Sequence, residues 1–115
     1  MQIEKAELDG AVTRLKLSGK LDINGAGIVE IPMALAARNS RCVIVDMSDV
    51  TFVASLGVRH LVMGAKMLDQ RGGKLVLFAL TEPVAQILDT MGIGDIIPMV
   101  ASEQEAKGLV AQGAS

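Results

Sequence analysis

Val43 to Val62 reads VIVDMSDVTFVASLGVRHLV, and this stretch decides the fold. Cys42 to Val45 is an uninterrupted apolar run of strand length, as expected of an interior strand, and Asp46-Met47-Ser48-Asp49 reads as its polar exit. Val50 to Val53 is a short extended segment, after which an amphipathic helix begins near Ser55. Serine is a preferred N-cap, so Ser55 has a plain structural reading in which its hydroxyl satisfies a first-turn amide. A hydroxyl at that junction is also placed to act as a phosphorylation switch. A phosphate there faces the positive end of the helix dipole and is accommodated without unfolding.

Downstream, Val58, Leu61, Val62, Ala65 and Leu68 fall at helical spacing and are expected to face a core, with Arg59, Met63, Lys66 and Gln70 towards solvent. Gly72-Gly73 ends this helix. Leu75 to Leu80 follows as a strand covered on both faces, and Thr81-Glu82-Pro83 opens a helix with Val84, Ile87, Leu88 and Met91 on one stripe. Ile96-Ile97 is a short apolar segment. Ser102 and Glu105 form the capping box of a last helix carrying Ala106, Leu109 and Val110.

Upstream, Ile3 to Leu17 holds two extended stretches around the hairpin signal Asp9-Gly10. The Gly-rich segment Asp22 to Gly27 reads as a loop leading into a helix that ends around Arg38-Asn39. Pro32 then requires that helix to start late or to kink. A hairpin followed by alternating helices and strands is an α/β layer architecture.

The chain has 115 residues, the usual size of one domain with one core. Half of the residues are hydrophobic, yet no apolar run approaches the ~20 residues that span a bilayer, and no signal peptide is evident. A cytoplasmic setting is expected. The lone Cys42 has no disulfide partner and behaves as a small apolar residue. A net charge of −2 and only two aromatic residues, both Phe, leave neither the electrostatic footprint nor the stacking platform of a nucleic-acid binder.

Enzymatic constellations are equally thin. The nucleophile elbow needs Gly-x-Ser-x-Gly, and here the order is Val53-Ala54-Ser55-Leu56-Gly57. His60, the only histidine, follows Ser55 by five residues, out of line on the same helix and poorly placed as a base. Asp22, Asp46 and Asp49 do not make a receiver-type acidic site, because the chain opens with a hairpin and Lys74 precedes its strand. Asp46 and Asp49 are expected to end the strand and shape a turn. Gly25-Ala26-Gly27 and Gly92-Ile93-Gly94 lack the context of a phosphate-cradling loop. No metal site is expected.

Phe52-Val53-Ala54-Ser55-Leu56-Gly57-Val58 resembles the signature of the STAS domain family, in particular its single-domain anti-sigma factor antagonists. Ser55 falls on that family's phosphoacceptor and Gly57 on its glycine. The family's usual Asp is Ala54 here and its second Ser/Thr is Leu56, which leaves one candidate hydroxyl. Gly19-Lys20-Leu21-Asp22 is similar to the family's Gly-x-Leu-Asp turn, and Gly72-Gly73-Lys74-Leu75-Val76-Leu77 to its helix-to-strand joint.

The resemblance implies one STAS domain over residues 1–115, with its core at about 3–110, built as a curved mixed β-sheet packed against several α-helices. It further implies a non-catalytic regulator without a cofactor of its own. The unphosphorylated protein captures an anti-sigma factor with serine kinase activity, which then phosphorylates Ser55, and a PP2C-type phosphatase reverses the mark. The expected partner-binding residues are Asp22, Asn24, Val53, Leu56, Gly57, Arg59 and Met63, with turn formation the alternative for Asp22 and core or incidental surface for Met63. The alternative role is a STAS-type structural subunit of a lipid or anion transport assembly.

Overall fold

The structure, a computed structural model, describes residues 1–112. Strands β1 (Gln2–Leu8) and β2 (Val12–Leu21) form the expected hairpin, and helix α1 (Ile23–Asn39) leads to β3 (Cys42–Val53). Helix α2 (Ser55–Gln70), β4 (Leu75–Phe78), α3 (Glu82–Thr90), a short 3-10 turn (Ile93–Asp95), β5 (Met99–Val100) and α4 (Glu103–Gln112) complete the order. The sheet order is β1-β2-β3-β4-β5, with β1 antiparallel to β2 and every other pair parallel. The expected α/β fold with a mixed sheet is the one observed.

Alternation along β3 divides the apolar residues between two faces. Val43, Val45 and Met47 join the main cluster with Val29 and Met33 of α1, Leu61 and Leu68 of α2, and Val84 and Leu88 of α3. Cys42 and Ile44 point the other way, into a smaller cluster with Val12, Val76, Phe78 and the α4 residues Ala106 and Val110. The predicted inward face of α2 is the buried one, and Gly72 follows it with φ +81°. Half of the capping box of α4 forms as expected, with the Glu105 amide donating to Ser102 Oγ at 3.1 Å, while Glu105 Oε2 accepts from the amide of Ala101, one residue before the cap, at 2.9 Å.

Three local expectations are corrected. Asp46 to Asp49 does not end the strand, because β3 runs on to Val53 with two register shifts against β2. From Lys16↔Asp46 to Ser18↔Asp49, β3 advances one residue more than β2, and it does so again from Gly19↔Val50 to Lys20↔Phe52. Each extra residue resets the alternation, so Met47, Val50 and Val53 all reach the core while Ser48 and Asp49 face solvent. The Asp46 carboxylate accepts from the Ser48 amide at 2.9 Å, and Lys16 pairs with Asp49 at 3.4 Å.

Asp22 to Gly27 is not a loop either. Helix α1 starts at Ile23, where Asp22 Oδ1 accepts from the Gly25 amide at 2.9 Å and caps the helix, and it runs on through Pro32. Gly25 marks a close approach, since a Cβ there would stand 2.2 Å from the Lys20 carbonyl oxygen. Finally, β4 stops at Phe78 rather than Leu80, where Ala79 turns the chain with φ +59°.

Candidate functional site

Leu21 and Val53 are paired at the ends of β2 and β3, so the residues that follow them, Asp22 and Ala54, both enter helices at the same end of the sheet. The Ala54 amide donates to the Leu21 carbonyl at 3.0 Å and ties the two exits together. The N-termini of α1 and α2 therefore lie side by side, and their aligned amides make this end of the sheet electropositive. Gly57 sits in the first turn of α2 against Leu21, where a Cβ would stand 2.3 Å from the carbonyl oxygen.

The N-cap of α2 is Ala54, which supplies no side-chain cap. Ser55 is the first helical residue and is exposed, so the expectation that its hydroxyl caps the helix is corrected by one position. The cap is missing because the residue in extended conformation, at φ −132° and ψ 161°, is the alanine. The hydroxyl is thereby left outside the capping geometry, in solvent, one residue past the strand end.

Around Ser55, the exposed side chains include Leu56 (48%) and Met63 (50%) of α2 and Arg59 one turn on from Ser55. Ser55, Arg59 and Met63 share one helix face through their four-residue spacing. Asn24 is exposed in the first turn of α1, and Asp22 is half-buried at its cap. The Gly25 amide bonded to Asp22 holds its carboxyl below the usual range.

Two of the expected contact residues are positioned differently. Val53 is 2% exposed, with its side chain in the core, and Gly57 is buried against Leu21, so neither offers a side chain to a partner. The second register shift of β3 turns Val53 inward and leaves Phe52 outward at 44% exposure. Phe52 and Ile23, the latter 69% exposed beside Asp22, are the apolar surface residues that sequence reasoning missed. Phe52 lay within the motif, but its orientation depends on a bulge that the motif does not encode. Ile23 had been absorbed in the supposed loop.

Chemically, the site is a solvent-facing hydroxyl at the positive end of a helix, ringed by apolar groups and one arginine. Among the described residues no group of three His, Cys, Asp or Glu side chains is arranged to hold a metal ion.

Comparison with known proteins identifies the family of this fold. The model of the STAS domain matches residues 2–106. The anti-sigma F factor antagonist of Paenibacillus polymyxa is 27% identical over 92% of this chain and 92% of its own length. The anti-sigma factor antagonist SpoIIAA in its unphosphorylated form superposes with a TM-score of 0.81 at 19% identity, covering 96% of this chain and 97% of that one. The Bacillus SpoIIAA has also been solved in a phosphorylated form, which superposes with a TM-score of 0.73 at 19% identity over 95% of this chain and 99% of that one. A sulfate transporter family protein from Wolinella succinogenes has the same fold, with a TM-score of 0.75 at 15% identity over 92% of this chain and 87% of that one. The family model covers nearly the whole chain, and the chain belongs to the STAS domain family.

Proposed function

We propose that this protein is a non-catalytic, cytoplasmic regulator in a partner-switching module, acting as an anti-sigma factor antagonist. The unphosphorylated form binds an anti-sigma factor with serine kinase activity and so releases that factor's target. Phosphoryl transfer from the kinase's ATP to Ser55 weakens the complex, and a PP2C-type phosphatase restores it. The observation that carries this reading is the position of Ser55: exposed, outside the capping geometry, and flanked by the exposed apolar side chains Leu56 and Met63.

A dianion set among such groups is costly to bury unless the partner supplies cations, whereas the helix dipole stabilises it in the free protein. Phosphorylation at this point thus penalises the complex and spares the fold. Leu56 and Met63 with Phe52 and Ile23 form the apolar contact, Asn24 and Arg59 its polar edge. Asp22, Val53 and Gly57 position the surface from below.

A transport-assembly subunit is the second reading, favoured by the fold shared with the sulfate transporter family protein. In the described residues no helix is long and apolar enough to cross a membrane, so this chain would serve there as a docked component. Incubation with the candidate kinase and ATP, followed by mass-spectrometric site mapping, tests the first reading. Phosphate on Ser55 is expected; phosphate chiefly on Thr51 or Ser48, or none, contradicts it.

A further inference from the structure

The sheet face opposite α1, α2 and α3 has its own cover, and that cover is lightly held. Among its described residues helix α4 fully buries Ala106 and Val110 there, with Leu109 half-buried, whereas α1 and α2 each bury six residues. Its remaining attachments are polar and sit near its ends. Arg14 Nη1 on β2 donates to both Glu103 carboxylate oxygens, at 3.0 and 2.9 Å, while Lys107, within α4 itself, pairs with Glu103 Oε2 at 3.0 Å. Towards the other end, Arg41 Nη1 donates to the Val110 carbonyl at 3.0 Å.

Beside that end lies an open cavity of about 600 Å³ between α4 and the β1-β2 hairpin, lined in part by Leu8, Val12, Val110 and Ala111. Among the described residues the flank of α4 is therefore undercut. Hydrophobic stabilisation follows the apolar area removed from water, so the short face of Ala106, Leu109 and Val110 holds its helix more weakly than the six-residue faces hold α1 and α2.

We propose that α4 is a detachable strap. It lifts from the sheet in a local opening that leaves the five strands and α1 to α3 folded, and it bares the surface formed by Val12, Ile44, Val76 and Phe78 together with the Cys42 thiol. The Arg14–Glu103 contact is its latch. This inference is independent of partner switching, because it concerns the other face of the sheet.

Cys42 is the only cysteine and is 0% exposed, so its reactivity reports the opening. The folded protein is mixed with excess 5,5′-dithiobis(2-nitrobenzoate). The Cys42 thiolate attacks the reagent disulfide, forms a mixed disulfide and releases one thionitrobenzoate per chain. Labelling is expected to run faster than global unfolding permits and to change little with urea below the unfolding transition. Arg14→Gln and Glu103→Gln are each expected to accelerate it about fivefold, the equivalent of ~1 kcal/mol, and to lower global stability by a similar amount, because the latch is broken in the opened and the unfolded states alike. Hydrogen exchange adds an independent readout, with the amides of Ala106 to Val110 expected to open at lower free energy than those of Val43 to Val45. Labelling that tracks global unfolding at every urea concentration, or exchange of α4 and β3 at one common free energy, overturns the proposal.

Discussion

The first turn of α2 touches the end of β2 so closely that a Cβ on Gly57 would stand 2.3 Å from the Leu21 carbonyl oxygen and 2.6 Å from Leu21 Cγ. That carbonyl already accepts the Ala54 amide at 3.0 Å, so it cannot retreat without loosening the junction that carries Ser55.

Gly57→Ala is therefore expected to destabilise the protein by about 3 kcal/mol, at the upper end of overpacking costs. Gly64→Ala serves as the contrast, because its new Cβ would meet the flexible Met33 side chain at 2.9 Å, which can shift at a cost of about 1 kcal/mol. Urea unfolding of both variants checks the order. Equal losses would mean that the backbone contact is not the rigid one.

Ala54→Asp is expected to stabilise α2 by about 1 kcal/mol, since it installs an acceptor at an N-cap that has none. The unfolding midpoint should rise with no change in the denaturant slope. A fall would show that the half-buried position at the end of β3 does not tolerate a carboxylate.

Ser55→Ala is expected to change stability by less than about 0.5 kcal/mol, because the serine is the first helical residue and not the cap. A loss of about 1 kcal/mol, the usual cost of removing a cap, would return Ser55 to the capping role.

Acid should weaken the α4 latch. Lys107 and then Arg14 hold the Glu103 carboxyl below its ordinary value. A carboxylate whose folded value is depressed contributes its stability in full above the unfolded value and loses it as pH falls through the folded one. Between about pH 5 and pH 3, wild-type protein should thus lose more stability than Glu103→Gln, which has no such charge to lose. Parallel pH profiles for the two would remove Glu103 from the account.

The elements with strong periodicity were legible from sequence: the Asp9-Gly10 hairpin, the buried face of α2, the β4 run and the Ser102–Glu105 box. Reading failed where tertiary contacts decide local structure. Gly25 looks like a loop residue, but it is required where α1 passes within 2.2 Å of Lys20, as measured from a placed Cβ, and Asp22 starts the helix over it. Asp46 to Asp49 looks like a strand exit, yet a bulge carries its polar groups outward and lets the strand continue. In the candidate site, the position of Ser55 at the junction was legible, its offset from the cap was not. The inward turn of Val53 and outward turn of Phe52 follow from that same bulge, which no local pattern records.

Partner switching rests on Ser55 lying within a contact surface that a negative charge disrupts. The most direct measurement is calorimetric titration of the kinase-type anti-sigma partner with this protein carrying serine or phosphoserine at position 55, alongside circular dichroism of each form. The expected result is at least a tenfold weaker complex with phosphoserine, corresponding to ~1.4 kcal/mol, and an unchanged fold. Equal affinity of the two folded forms would contradict the account.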